Sequence, residues 1–289
     1  MIFPWKRFWV PLNASISCGV LGEGFLDDPE SEWSPNHAIA KTLDTLLESS
    51  PCLVLSGEPG LGKTVSLEQA YPTIDHVGGG DAGTIWIRFR DVPDGPAFTR
   101  RVFESSRWEA WLQSDQTLTL VLDGLDEGLI KIKDFVSFLT SELQSIPRDR
   151  LKLVTACRTA DWPVAAGDKL LRLWDTDLSK SFWELCPLRR VDAQIAATGF
   201  GVESEKFLEA VFEKNVVALA ARPTTLFFLL RQFASNRQLE GTHRDNAELL
   251  IYVANPTQNV PRVQESRIGS KEVLRQNNCA MLLLTLQRC

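Results

Sequence analysis

Histidine is scarce in this chain, with three residues at 37, 76 and 243 among 289. The six cysteines, at 18, 52, 157, 186, 279 and 289, contain no C-x-x-C pair. These two shortages together exclude the ligand spacings of a zinc finger or zinc ribbon. Cys52 and Cys157 lie in apolar runs, where a free thiol behaves as a small hydrophobe, so reduced cysteines in a cytoplasmic protein are the expected state. There is no uninterrupted apolar stretch that suits a secretory signal or a membrane span, and no membrane partner is expected. Basic charge is not in excess: 31 Lys and Arg stand against 37 Asp and Glu, a net charge of −6. That balance, without an aromatic and basic stripe, gives no pull toward nucleic acid. No internal repeat is visible.

What the chain does have is Cys52-Leu53-Val54-Leu55-Ser56-Gly57-Glu58-Pro59-Gly60-Leu61-Gly62-Lys63-Thr64. An apolar run ends in glycine, four residues come next, and Gly-Lys-Thr closes the stretch. This is the phosphate-binding pattern G-x-x-x-x-G-K-[ST], with a strand before it and a helix after it. Gly57, Gly60 and Gly62 lack a Cβ, so the loop can turn through positive φ and bring backbone N–H groups to phosphate oxygens. The helix starting near Lys63 aims its positive dipole end the same way. Lys63 is expected to reach the β- and γ-phosphates and Thr64 to ligate Mg²⁺. The expected nucleotide-contacting set is Gly57, Glu58, Pro59, Gly60, Leu61, Gly62, Lys63, Thr64 and Val65. The competing reading is a Gly-rich turn that binds nothing.

A second stretch points to the same chemistry. Leu120-Val121-Leu122-Asp123-Gly124-Leu125-Asp126-Glu127 is an apolar strand ending in an acid, with two more acids beyond it. A carboxylate at the end of a neighbouring strand holds Mg²⁺ together with the loop Ser/Thr, and Asp123 has that position. A second carboxylate can orient or deprotonate the attacking water; Glu127 is the first choice and Asp126 the second. Arg158 comes after the strand 151–157, at the strand ends where ligands bind in open α/β sheets, and could sense γ-phosphate charge. A surface salt bridge is its plainer reading.

Residues 1–34 read as an aromatic lead-in with one or two brief strands, its aromatics covering a sheet edge or core face; a second reading lets part of 22–29 line a base pocket. Residues 35–187 form the main α/β unit. Ser34-Pro35 signals a helix over 35–49. Strands are expected at 52–56, 84–90, 118–123, 151–157 and 182–186, and helices at 63–70, 97–113 and 131–145, with a flexible loop at 78–80. Strands alternating with helices imply a mostly parallel sheet covered on both faces. After Pro187 the patterns are helical, at 192–197, 203–221, 224–233 and 271–286, with a loop at 254–270. Residues 188–289 therefore read as a small helical domain. Its apolar end, 279–286, suggests a polypeptide that continues further.

The two nucleotide stretches resemble the NACHT group of STAND NTPases, relatives of AAA+ proteins, and the Asp-Gly-Leu-Asp-Glu form is the discriminating piece. Thr155–Arg158 is similar to that family's sensor strand, and Glu184-Leu185-Cys186-Pro187-Leu188 to the strand leading into its helical domain. Ala221-Arg222-Pro223-Thr224-Thr225-Leu226 is similar to its proline motif, which would put Pro223 on the adenine. The resemblance covers roughly 50–235. It implies an ASCE/AAA+-like P-loop sheet with the strands ordered 182–186, 52–56, 151–157, 118–123, 84–90. It also implies an ATP/ADP switch in a signalling protein, with a homo-oligomer forming on activation. Bacterial members often act in antiphage defence, and a truncated bacterial member is expected. The chain departs from the family in lacking a winged-helix histidine (His243 lies in a polar loop), a repeat sensor and an effector before residue 50. Two other functions stay open. One is an AAA+-type remodelling or loader ATPase with Arg148 or Arg150 acting in trans. The other is a non-catalytic truncated protein that binds nucleotide weakly.

Overall fold

A computed structural model describes residues 3–19, 24–71, 83–236 and 238–239. The expected loop at 78–80, His243, and everything expected between 240 and 289 lie outside these residues.

Seven strands form one sheet: β1 (Phe8–Pro11), β2 (Lys41–Thr42), β3 (Cys52–Ser56), β4 (Thr84–Arg88), β5 (Leu118–Asp123), β6 (Leu151–Ala156) and β7 (Phe182–Leu185). Their order across the sheet is β2-β1-β7-β3-β6-β5-β4. The five strands from β3 to β7 are parallel, whereas β1 pairs antiparallel with β7 and with β2. The order therefore differs from the five-strand expectation: β1 from the lead-in, and β2 after it, extend the sheet at the β7 edge. β3 and β5 are buried along their whole lengths, as continuous apolar runs in a doubly covered parallel sheet should be.

Helices α1 (Leu43–Ser49), α2 (Lys63–Ala70), α3 (Gly95–Arg101), α4 (Ser106–Leu112), α5 (Leu125–Lys131), α6 (Phe135–Leu143), α7 (Val164–Leu171) and α8 (Leu178–Ser181) surround the sheet. Side chains alternate across the pleat. Val54, Leu120, Leu122 and Leu153 join a core with Phe98, Trp111, Phe135, Leu139 and Leu170. Leu53, Leu55, Val121 and Val154 join a second core with Leu43, Leu46 and Leu67. A third core belongs to α9 (Arg190–Gly199), α10 (Ser204–Glu213), α11 (Val217–Ala220) and α12 (Pro223–Asn236), and includes Phe3 and Phe25.

Three expectations need correction. The helix expected over 35–49 forms only from Leu43. Asn36 is taken by the lead-in instead, its amide donating to the carbonyls of Ser17 and Asp27, and Lys41–Thr42 pair with β1. The helix expected over 97–113 is two helices, because Ser105 caps a fresh start by accepting from the Trp108 N–H. The pattern 203–221 breaks at Asn215, which has a φ of 53°. Of the lead-in aromatics, Trp33 covers nothing and is 89% exposed.

The strand register gathers the polar groups of the sheet at one end. Arg88 faces Asp123, Asp123 faces Ala156, and Ser56 faces Glu184. The carboxyl ends of the strands thus share one rim.

Candidate functional site

The loop from Gly57 to Lys63 lies on that rim. Gly57, Gly60 and Gly62 have φ of 149°, 79° and 96°, a region that L side chains rarely adopt. A Cβ on Gly57 would also press Leu185 at 3.3 Å. Gly62 leads directly into α2, so Lys63 and Thr64 occupy its first turn. The Lys63 ammonium turns back over the loop, donating to the carbonyls of Gly57 at 2.5 Å and Glu58 at 3.2 Å. Burial lowers its pKa, opposed by the nearby Cys157, Asp126, Asp123 and Glu58.

The Thr64 hydroxyl donates to Asp123 Oδ1 at 3.1 Å, joining residues 59 positions apart across α2 and β5. Asp123 is 8% exposed. Burial raises its pKa, and the Thr64 hydrogen bond, Arg88 and Lys63 oppose that rise. Arg88 in turn pairs with Glu68 of α2 at 2.8 Å, tying the helix that carries Thr64 to the strand beside Asp123.

Asp126 and Glu127 both fall in the first turn of α5, but they face different neighbours. Asp126 meets Arg158 Nε at 3.1 Å. Glu127 stands 4.0 Å from Lys131, whose ammonium donates to the Phe89 carbonyl at 2.6 Å, on the β4 side. Cys157 is buried, and burial pushes its thiol up to about 12, with Asp126 acting in the same direction and Lys63 against it. Cys18, Cys52 and Cys186 are also buried.

The helical module reaches the loop through the start of α12. The Thr224 hydroxyl donates to the Gly60 carbonyl at 3.1 Å, and Pro223 Cγ lies 3.8 Å from where a Gly62 Cβ would stand. Beside them a cavity of about 100 Å³ is lined by Phe3, Trp5, Arg7, Val65, Gln69, Pro223 and Phe227, among others. Trp5 and Phe227 stack at 5.6 Å, and Phe3 lies 5.3 Å from Trp5. The Arg7 guanidinium donates to the Cys186 carbonyl at 2.6 Å, and burial lowers its pKa to about 10. Residues 24–29 do not line this cavity; Phe25 packs in the helical core, and 22–23 lie outside the described residues. The aromatics at 3 and 5 are visible in the sequence, but nothing local says which helix they meet.

These residues fit a magnesium nucleotide. The three glycines contribute no side chain to the backbone cradle, and the Lys63 ammonium lies over it. Mg²⁺ takes oxygen ligands, usually one or two carboxylates plus substrate phosphates, and the Thr64 hydroxyl and Asp123 carboxylate form an oxygen pair at the mouth of the cradle. Among the described residues no cluster of three or more His, Cys, Asp and Glu could hold a metal without such a ligand. No helix among them is long and apolar enough to cross a membrane. Arg150 is engaged within the chain: it donates to the Ser114 carbonyl and lies over the Trp111 ring at 5.6 Å.

No family model matches the sequence, and no curated protein matches it. Among solved structures, a Walker-type ATPase of Pyrococcus abyssi is similar with a TM-score of 0.44 at 12% identity, over 72% of this chain and 69% of that one. Cdc6p from Pyrobaculum aerophilum gives 0.39 at 16%, over 68% and 60%. The Drosophila ORC bound to DNA gives 0.42 at 15%, over 76% and 61%. The chain thus spans about three fifths of the length of the latter two. With all three scores below 0.5, the functional reading rests on the site itself.

Proposed function

We propose that this chain is a P-loop ATPase module that binds ATP and ADP with Mg²⁺, and that its helical module makes it a switch. The observation that carries the reading is the Thr64–Asp123 hydrogen bond at the mouth of a glycine cradle into which Lys63 folds. Lys63 leaves the Gly57 and Glu58 carbonyls to meet the β- and γ-phosphates. Thr64 and Asp123 supply the oxygen ligands for Mg²⁺. Bound Mg²⁺ would neutralise charge on the phosphates as the terminal bond breaks.

Between the two candidate bases, Asp126 is favoured. It is among the carboxylates whose charge acts on Lys63, and it pairs with Arg158. In this reading Asp126 orients the attacking water and accepts its proton, Arg158 stabilises γ-phosphate charge, and Glu127 braces α5 through Lys131. The base enters the cavity beside Gly62, against the aromatic wall that Trp5 and Phe227 form together, and is covered by Pro223; aromatic stacking accepts any base by its π-face.

The contacts of Pro223 and Thr224 with the loop support a NACHT-like switch, because a change at Gly60 or Gly62 is felt at once by α12. A cytoplasmic signalling or defence role, with oligomerisation on activation, is the physiological form of this proposal. The primary test is Mg-ATP affinity of the full chain with and without Lys63→Ala. Loss of two charge-assisted hydrogen bonds to phosphate, about 1.5–3 kcal/mol each, should lower affinity by more than about 100-fold; equal affinity would sink the assignment.

A further inference from the structure

Glu184 is an acidic group on the rim that the proposed chemistry leaves without a task. It is half-buried near the end of β7, and its backbone faces Ser56, the residue immediately before the glycine loop. Glu184 Oε1 accepts from the Thr159 hydroxyl at 3.3 Å. The same hydroxyl lies 3.2 Å from Ser56 Oγ, on a residue with no exposure at all. Thr159 has a single hydroxyl proton. The hydroxyl is placed to donate to Glu184 and to Ser56, so the one proton is shared between the two acceptors. Thr159 is also the residue after Arg158 and opens the short turn Thr159–Asp161. Arg158 reaches Asp126 from the other side at 3.1 Å.

A glutamate is a costly choice for this place. Burial raises its pKa, and Glu58 of the loop acts in the same direction. A buried polar group that keeps such a cost is retained for the hydrogen bonds it makes. Here the bond from Thr159 fastens the root of Arg158 to β7, beside the strand that launches the phosphate loop.

We propose that Glu184 is a positioning residue that holds Arg158 in place through Thr159, so that the site distinguishes a nucleoside triphosphate from a diphosphate. The inference rests on the reading that Arg158 serves the γ-phosphate end of the site.

The test uses the full chain with Mg²⁺ and compares the dissociation constants of ADP and of a non-hydrolysable β,γ-imido ATP analogue. Their ratio measures γ-phosphate discrimination. Arg158→Ala should collapse the ratio. Glu184→Ala should lower it about 10-fold, the worth of one hydrogen bond to a charged group, with ADP affinity unchanged. Glu184→Gln keeps an acceptor oxygen and should retain most of the ratio, and Thr159→Val should match Glu184→Ala. In the Arg158→Ala background Glu184→Ala should change nothing further, because residues acting through one another are not additive. Three outcomes overturn the proposal. In one, the ratio survives Glu184→Ala and Thr159→Val while Arg158→Ala abolishes it. In another, ADP and the analogue weaken alike, the mark of a merely structural role. In the third, the effect is fully additive in the double variant. A wild-type ratio unmoved by Arg158→Ala would instead remove the role proposed for Arg158, and the Glu184 inference with it. Failure of the wild-type chain to bind either nucleotide would be the failure of the proposed function itself.

Discussion

The two ends of the cleft are built in opposite ways. The phosphate end comes from one unbroken stretch, Gly57–Thr64, with its acids supplied by the end of β5 and the first turn of α5. The aromatic end comes from three segments far apart in the chain: Phe3, Trp5 and Arg7 from the lead-in, Val65 and Gln69 from α2, and Pro223 and Phe227 from α12. The phosphate end is fixed by backbone conformation and by hydrogen bonds across neighbouring strands. The aromatic end exists only when the lead-in, the sheet and the helical module are assembled. A nucleotide spanning both would therefore read local geometry with its phosphates and global assembly with its base.

The largest expected effect lies at the phosphate end. Asp126→Asn should lower the single-turnover rate of Mg-ATP hydrolysis by about 100-fold or more, in line with removal of a general base, while Glu127→Gln costs less than about 10-fold. The reverse ranking would return the role to Glu127 and would mean that the Arg158–Asp126 pair opens when nucleotide binds.

The aromatic end is separated from it by comparing ATP with inorganic tripolyphosphate. Trp5→Ala should weaken ATP binding by the roughly 1–3 kcal/mol of one aromatic–base contact, about 5- to 150-fold, and leave tripolyphosphate unchanged. Lys63→Ala should weaken both. If Trp5→Ala weakens both equally, the cavity is a packing defect between lobes and not a base site.

This asymmetry also explains what was legible in the sequence. Lys63, Thr64 and Asp123 were readable because the loop and the strand carry their own spacing, and a parallel sheet brings their ends together. The choice between Asp126 and Glu127 was not readable, since both sit in one helical turn and only the neighbours, Arg158 on one side and Lys131 on the other, separate them. The second reading of 22–29 as a base pocket does not match the cavity beside Gly62, which the lead-in lines with Phe3, Trp5 and Arg7. No local periodicity tells an aromatic which distant helix it will meet. The helix expected from Ser34-Pro35 failed for the same kind of reason: tertiary hydrogen bonds to Asn36 and pairing of Lys41–Thr42 with β1 overrode a good local start signal.

A stability measurement sharpens the comparison from the protein side. A Cβ on Gly128 of α5 would stand 2.6 Å from the Phe89 ring, so Gly128→Ala should cost about 1–3 kcal/mol by overpacking, offset by up to about 1 kcal/mol of helix propensity. Because α5 carries Asp126 and Glu127, thermal unfolding should shift downward and turnover should fall with it, while tripolyphosphate affinity is retained. A variant as stable as the wild type would show that α5 shifts readily against Phe89, and that the acids are less fixed than the loop.

The smallest effect expected is at the seam between the two ends. Thr224 is exposed, and its hydroxyl makes one hydrogen bond to the loop, to the Gly60 carbonyl. Thr224→Val keeps the shape and removes the donor, so its net effect on stability should be on the order of 0.5 kcal/mol, a melting shift of about 1–2 °C at most for a chain of this size. A seam that matters for switching should reveal itself elsewhere. If α12 is held to the loop in one nucleotide state and released in the other, Thr224→Val should change the ratio of ADP to ATP-analogue affinity by more than it changes either melting temperature or tripolyphosphate binding. An unchanged ratio would mean that Pro223 packing alone holds α12 on the loop in both states. The helical module would then be a fixed wall of the cleft, and the phosphate end would act without reporting to it.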